Sequence, residues 1–201
     1  GLPVYDGFRA DHVSDAVEIR PREQAYLAVG ATGQYTTAVL MQFVQGVLYV
    51  THDWCCEGDP GATLGDIVRA AGLATRRVFA VVAARQHFDD HDTVGLRAAG
   101  RRVPIEVTRG GDSSAGREQI RRLLRESPHG VPALQIHPDA RWTLNALAGG
   151  YCRDVTKAGV ITEFPVPGPY CTLMEAVESF AGQMRTGLDD EHRISKTDHD
   201  A

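Results

Sequence analysis

The chain has 201 residues and a mass of 21.8 kDa, with 43% hydrophobic and 23% charged residues. This length suits one sizeable core, and the composition excludes a collagen-like, low-complexity or wholly disordered chain. The formal net charge is −5, so there is no overall basic field and any nucleic-acid binding would need a local basic patch.

Cysteine usage and hydropathy indicate the setting in which the protein acts. The four cysteines have neither CxxC spacing nor the density of a secreted disulfide scaffold, which favours a reduced, cytoplasmic setting without structural zinc. No apolar run approaches the roughly 20 residues that a bilayer-spanning helix needs. The N-terminus also lacks the basic and apolar regions of a signal peptide. We therefore expect a cytoplasmic protein with no membrane association.

The first part of the chain is predicted to be an extended segment followed by three strands. Residues 1–23 are polar, contain Pro3 and Pro21 and show no sustained period, which predicts an extended, linker-like segment outside the core. Three β-prone runs separated by short segments follow, and they predict three antiparallel strands. These runs are Ala25–Ala31, Thr36–Val44 and 47–53.

Strand and helix patterns alternate in the rest of the chain. Strand patterns cover 78–84, 103–107, 133–136 and a hairpin-like stretch over 151–164. Helix patterns cover 63–72, 93–99, a segment around Ile120 capped by Asp112 or Ser113, 141–148 and 173–184. The pattern predicts one α/β domain over 24–187, followed by a disordered tail over 188–201. No GxxxxGK[ST] motif occurs, so the chain by itself is not a P-loop ATPase.

Four segments carry a resemblance to a known family. They are VYDGFRADHV at 4–13, YLAVGATGQYTTAVLMQ at 26–42, RRLLRESPHGVPALQIHPDARWTLNALAGGY at 121–151 and TLMEAVESF at 172–180. With them the chain resembles the C-terminal nuclease domain of phage terminase large subunits, from about Val4 to Gly187. The resemblance implies an RNase H-like mixed sheet with helices on both faces. It also implies a role in phage or prophage DNA packaging.

The resemblance implies a catalytic site, but most of its carboxylates are missing here. The family uses carboxylates that hold two divalent metals for phosphodiester cleavage. The first belongs at the end of the opening strand, where Ala31 stands, and the second at the end of the next buried strand, where the candidates are Ala83 and Ala84. The third belongs in the final helix, where Glu175 replaces the usual aspartate. We therefore expect lost or much weakened cleavage, with Glu175 as a remnant.

Two other functions are compatible with the sequence. Relocated carboxylates at Asp53, Asp89 and Asp90 would give an active endonuclease that uses Mg²⁺ or Mn²⁺, whereas an inactive site needs no metal. However, acidic residues in loops and at strand ends are more often simply solvated. Alternatively, the linker-like residues 4–23 suggest a module that docks the packaging motor.

Candidate partners follow from the same resemblance and from one basic pattern. They are double-stranded DNA, the terminase ATPase domain, and the small terminase or portal protein. Four arginines recur at helical spacings and could contact phosphates, although such a stripe is more often an exposed helix face. They are Arg117, Arg121, Arg122 and Arg125.

Overall fold

A computed structural model describes residues 1–32, 34–56, 78–82 and 105–187. The predicted helices over 63–72 and 93–99 lie outside these residues, as does the tail after 187. Ala83, Ala84, Asp89 and Asp90 lie outside them as well.

The described elements follow the predicted order closely. The strands are β1 (Leu2–Pro3), β2 (Ala25–Ala31), β3 (Thr36–Val44), β4 (Val47–Cys56), β5 (Val78–Val82), β6 (Ile105–Arg109), β7 (Leu134–Ile136), β8 (Cys152–Val155) and β9 (Ile161–Pro165). The helices are α1 (Ser113–Arg125), α2 (Arg141–Asn145) and α3 (Pro169–Gly187). Short 3₁₀ turns occupy Ala10–His12 and Pro128–Gly130, and a π-helical turn, Ala146–Gly150, extends α2.

Six of the described strands form a mixed sheet in the order β6-β5-β2-β3-β4-β7. The opening strands β2, β3 and β4 are antiparallel neighbours, whereas β5, β6 and β7 join the sheet in parallel. Parallel neighbours need a crossover connection, which explains the alternation of strand and helix patterns after β4. The predicted α/β class with an RNase H-like mixed sheet is confirmed. A second, antiparallel sheet has the order β1-β8-β9.

The core lies between the main sheet and helices α1 and α3. Residues of β2, β3 and β4 that share one sheet face are fully buried there, among them Ala28, Val39 and Val50. The helices contribute an apolar stripe at i, i+3 and i+4 spacing, as predicted from the sequence. That stripe includes Ile120, Leu123, Leu124, Leu173, Val177 and Phe180.

Residues 1–23 were predicted to be an extended segment outside the core, but several of their side chains pack into it. Val4, Tyr5 and Val17 are buried, and His12 is fully buried with its Nε2 atom 3.2 Å from the carbonyl oxygen of Leu124. These buried residues are unevenly spaced along the segment, so they give neither a helical nor a strand period in the sequence.

Helices α1 and α3 approach each other through glycines. A Cβ atom placed on Gly116 of α1 would lie 1.7 Å from the carbonyl oxygen of Glu178 on α3. On α3, a Cβ atom on Gly182 would lie 2.5 Å from the carbonyl oxygen of Asp112, the residue whose carboxylate caps α1. The two helices therefore touch backbone to backbone, and no larger residue fits at either position.

Gly116→Ala is expected to destabilise the protein by about 3 kcal/mol or more, because the added methyl group must push the helices apart. This sign is opposite to the usual effect of Gly→Ala inside a helix, which favours the helix by up to about 1 kcal/mol. Urea unfolding followed by circular dichroism measures the change. Ser114→Ala, on the exposed side of α1, is the control and should stay within about 0.5 kcal/mol of wild type. A stabilised Gly116→Ala protein would contradict the close packing.

A β-bulge decides which way Asp53 points. The pairing of β3 with β4 shifts at Leu40/Met41, so Thr51 is an extra residue and Asp53 pairs with Val39. Val39 belongs to the helix-facing core, so the bulge returns Asp53 to that side of the sheet. There its Oδ2 atom accepts a hydrogen bond of 2.5 Å from the backbone N–H of Thr143. Ala140, at the N-cap position of α2, has no side-chain acceptor, so Asp53 caps α2 from a distant strand.

Asp53→Ala is expected to lower stability by about 1 kcal/mol, because the first turn of α2 then loses its acceptor. Asp53→Asn retains a side-chain oxygen and should lose less. Both values come from urea titrations at pH 7. If the two variants lose equal stability, the hydrogen bond to Thr143 is not the cause.

The same variants test the ionisation of Asp53. Burial raises the pKa of its carboxyl above the ordinary value of 3.8, although the hydrogen bonds from Thr143 and Trp142 oppose this effect. The native state therefore binds the proton more tightly than the unfolded state. Stability relative to Asp53→Asn should fall as the pH rises from 3.8 through the folded-state pKa, and then level off. A rise over that interval would show that the native state favours the carboxylate.

Candidate functional site

The carboxyl ends of β2 and β5 meet at one edge of the main sheet. The two strands are parallel neighbours, with Val29 of β2 opposite Val82 of β5. The first turns of α3 cover this edge, because a Cβ atom on Gly30 would lie 2.4 Å from the carbonyl oxygen of Thr172. The edge thus brings together β2, β5 and α3, the three elements on which the resemblance places the catalytic carboxylates.

β2 contributes no carboxylate to this edge. Successive residues of a strand point to opposite faces, so Gly30 faces α3 and Ala31 faces the other way. Ala31 pairs with Thr36 on β3. Gly30 is the β2 residue in contact with Thr172 in the first turns of α3, and it is not among the site residues predicted from the sequence. Counting the strand period of two forward from the core residue Ala28 places Gly30 on the helix-facing side.

Two threonines complete the contact around Gly30. The hydroxyl of Thr37 donates to the carbonyl oxygen of Gly30 at 3.4 Å, and that of Thr172 donates to the carbonyl oxygen of Gly168 at 3.1 Å. Both side chains are buried. The space beside Gly30 is therefore filled by satisfied hydroxyl and backbone groups, which leave no room for a carboxylate at position 30.

Glu175 lies one turn along α3 from Thr172 and is half-buried. The thiol of Cys171 lies 3.7 Å from its Oε1 atom. Burial raises the pKa of Cys171 to about 12, and the neighbouring charge of Glu175 adds to this effect. The thiol therefore stays protonated at neutral pH and donates a hydrogen bond to the carboxylate of Glu175. Glu175 is the acidic residue that the described part of α3 offers at this edge.

Asp53 lies on the same sheet face but two strands away. It is opposite Val39 of β3, which in turn is opposite Ala28 of β2, so the separation across the sheet is about 10 Å. Its carboxylate is engaged at the N-terminus of α2. In residues 1–32, 34–56, 78–82 and 105–187, no three His, Cys, Asp or Glu side chains come together in a group that could hold a metal ion.

Arg117 differs from the other three arginines of α1. Its guanidinium donates to both carboxylate oxygens of Glu178, from Nε to Oε1 at 3.1 Å and from Nη2 to Oε2 at 3.0 Å. Glu178 has no exposed side-chain surface, and burial raises the pKa of its carboxyl against the lowering effect of Arg117. Arg117 therefore joins α1 to α3. Glu178 follows Met174 by four residues on the apolar stripe, and this position in the sequence signals a buried partner.

The other arginines are more exposed than Arg117, although Arg121 is only 27% exposed and its Nη2 atom also donates to the carbonyl oxygen of Val4 at 3.4 Å. Arg121 pairs with Glu118, and Arg122 lies 3.6 Å from Glu126, with both side chains of that second pair more than half exposed. Arg125 is exposed as well. Exposed ion pairs contribute little energy, so the pair between Arg122 and Glu126 constrains its side chains only weakly.

None of the helices in the described residues is at once long and apolar enough to cross a bilayer.

Solved structures provide the comparison with known proteins. The large terminase of the thermophilic bacteriophage D6E aligns with 90% of this chain at a TM-score of 0.65 and 18% identity. The nuclease of the large terminase from thermophilic phage G20c, with bound cobalt, aligns with 90% at a TM-score of 0.56 and 14% identity. The corresponding domain from bacteriophage SPP1, with bound Mn, aligns with 92% at a TM-score of 0.57 and 13% identity.

The extent of these matches differs between the relatives. This chain covers 97% of the G20c nuclease and 100% of the SPP1 domain, but only 44% of the D6E large terminase. No protein-family model and no curated protein sequence matches. The fold of this chain is therefore that of the nuclease domains of phage large terminases.

Proposed function

We propose that this chain is the nuclease-like domain of a DNA-packaging large terminase of phage or prophage origin, with metal-dependent DNA cleavage lost or much weakened. The observation that carries the proposal is the sheet edge beside α3. There β2 presents Gly30 and Ala31, and Glu175 stands on the helix without a carboxylate from β2.

The described residues at this edge do not fit a pair of divalent metals. Mg²⁺ and Mn²⁺ prefer several oxygen ligands, and two-metal sites hold the ions roughly 3.5–4 Å apart through shared or adjacent carboxylates. Glu175 offers one carboxylate, and its described neighbour Cys171 is a protonated thiol. We therefore assign no cleavage step to this site.

An active site built from relocated carboxylates receives less support. Of its three candidate ligands, Asp53 caps α2 and lies about 10 Å from β2, as the strand spacing requires. Asp89 and Asp90 lie outside the described residues. Were such a site to exist, Mg²⁺ or Mn²⁺ would be its cofactor, as in the G20c and SPP1 nuclease structures with bound magnesium and Mn.

We further propose a structural and DNA-contacting role within the packaging machinery of a bacterial host's cytoplasm. The D6E large terminase, of which this chain matches 44%, has been solved with ADP. This supports an ATPase domain as a partner, with the small terminase or portal protein as further candidates. Arg121, Arg122 and Arg125 provide cationic groups for double-stranded DNA.

The purified chain is expected to show no Mg²⁺- or Mn²⁺-dependent nicking of supercoiled plasmid above a buffer control, because one carboxylate cannot hold two metals. Agarose gels over a time course measure this. Glu175→Gln should behave like wild type, and so should Glu163→Gln, a control on the exposed strand β9. Cleavage that disappears in Glu175→Gln but persists in Glu163→Gln would refute the proposal.

We expect the chain to bind double-stranded DNA weakly and in a salt-sensitive way if the exposed arginines of α1 contact phosphates. The double variant Arg122→Gln/Arg125→Gln should bind at least about threefold more weakly at low salt, and the slope of log K against log salt should fall by about 2. Fluorescence anisotropy between roughly 50 and 200 mM salt measures both quantities. Arg141→Gln, an exposed change on α2, is the control and should match wild type. An unchanged slope in the double variant would exclude α1 as the contact surface.

A further inference from the structure

Four separate parts of the chain meet at the carboxylate of Glu178. Besides its ion pair with Arg117, its Oε1 atom accepts a hydrogen bond of 2.6 Å from the hydroxyl of Tyr5. The hydroxyl of Tyr151 accepts a hydrogen bond of 3.2 Å from Arg117. Glu178 is the one carboxylate among the described residues that is fully buried, and Tyr5 is only 2% exposed. Each partner therefore matters, because an unsatisfied buried carboxylate is costly.

Tyr5 belongs to a strap, which we define as residues 4–14. At its start, the backbone N–H of Val4 donates to the carbonyl oxygen of Tyr151 at 3.0 Å. At its end, the Nε2 atom of Gln135 on β7 donates to the carbonyl oxygen of Asp11 at 3.0 Å. The strap thus runs from the small sheet across α1 to the edge of the main sheet. Tyr5 is its hydrogen-bonded link to α3.

Helix α3 connects Glu178 to the sheet edge, because Thr172 at that edge lies on the same helix. Glu178 follows Thr172 by six residues, about 9 Å along the helix axis. At both points α3 touches its neighbours without intervening side chains, at Gly116 of α1 and at Gly30 of β2. A helix held by such contacts moves as a unit, because close-packed surfaces do not deform gradually.

We infer that the strap is a positioning element for α3: Tyr5 holds Glu178 and so seats α3 against β2, and opening of the strap releases α3 with it. Any partner or tension that lifts the strap would then alter the surface formed by Gly30, Thr172 and Glu175. This coupling does not depend on whether that surface cleaves or contacts DNA.

Native-state amide hydrogen exchange, read by mass spectrometry of peptides from the strap, α3 and β2–β3, tests the coupling. Gln135→Met removes one anchor of the strap, the hydrogen bond to Asp11, and keeps the length of the side chain. The backbone N–H of Ser14 still donates to the carbonyl oxygen of Ile136 at that end, so the variant weakens the attachment of the strap without removing it. We expect exchange in both the strap and α3 to rise roughly three- to tenfold, since both open together. Exchange in α3 that stays at the wild-type rate would overturn the inference.

A second substitution identifies Tyr5 as the link. In a Tyr5→Phe background, Gln135→Met should still speed exchange in the strap but should no longer affect α3. A Tyr35→Phe background is the matched control, since it removes a hydroxyl from a tyrosine between β2 and β3, away from both Glu178 and Gln135, and there the effect on α3 should persist. If Gln135→Met speeds α3 equally in all backgrounds, α3 exchanges only by global unfolding and the inference fails.

Discussion

The close seating of α3 against α1 and β2 is the constraint on which the rest of the structure depends. At Gly116 and Gly30, the neighbouring backbone of α3 occupies the space that any side chain would need. Such contacts maximise dispersion, exclude water and fix how far apart the elements lie. The position of α3 therefore fixes the sheet edge where β2 and β5 end, and with it the geometry of the candidate site.

The packing of α3 against α1 and β2 does not depend on the residues that would bind metal. A two-metal site needs several oxygen ligands arranged around both ions. Here the helix and strands are arranged as in nuclease domains with bound metal, but β2 offers Gly30 and Ala31 at its end. The sheet and α3 are stabilised by apolar burial and by backbone contact, and neither requires a metal ligand. The stability of such a fold therefore does not depend on the chemistry of the residues at this edge.

The strands and helices could be predicted well from the sequence, whereas side-chain partners could not. The bounds of β2 and β3 agree with prediction because their apolar runs end abruptly at turn residues. The direction of Asp53 depends on a bulge, and a one-residue shift reverses the face of every later side chain. Arg117 has the same helical spacing as Arg121, and only the crossing of α1 over α3 brings it to Glu178. A sequence pattern indicates which face of one helix or strand is buried. The direction of Asp53 and the partner of Arg117 instead depend on how two elements pack together.

The buried ion pair explains why the helices cross in one register. Glycine surfaces are smooth, so contacts such as that at Gly116 resist compression but oppose sliding only weakly. A buried ion pair contributes little net stability, because desolvation offsets its attraction, but it is strongly unfavourable when misaligned. Arg117 and Glu178 therefore select one register of α1 on α3 among several that apolar packing would allow. Tyr5 extends this selection to the strap, since its hydroxyl reaches the same carboxylate only in that register.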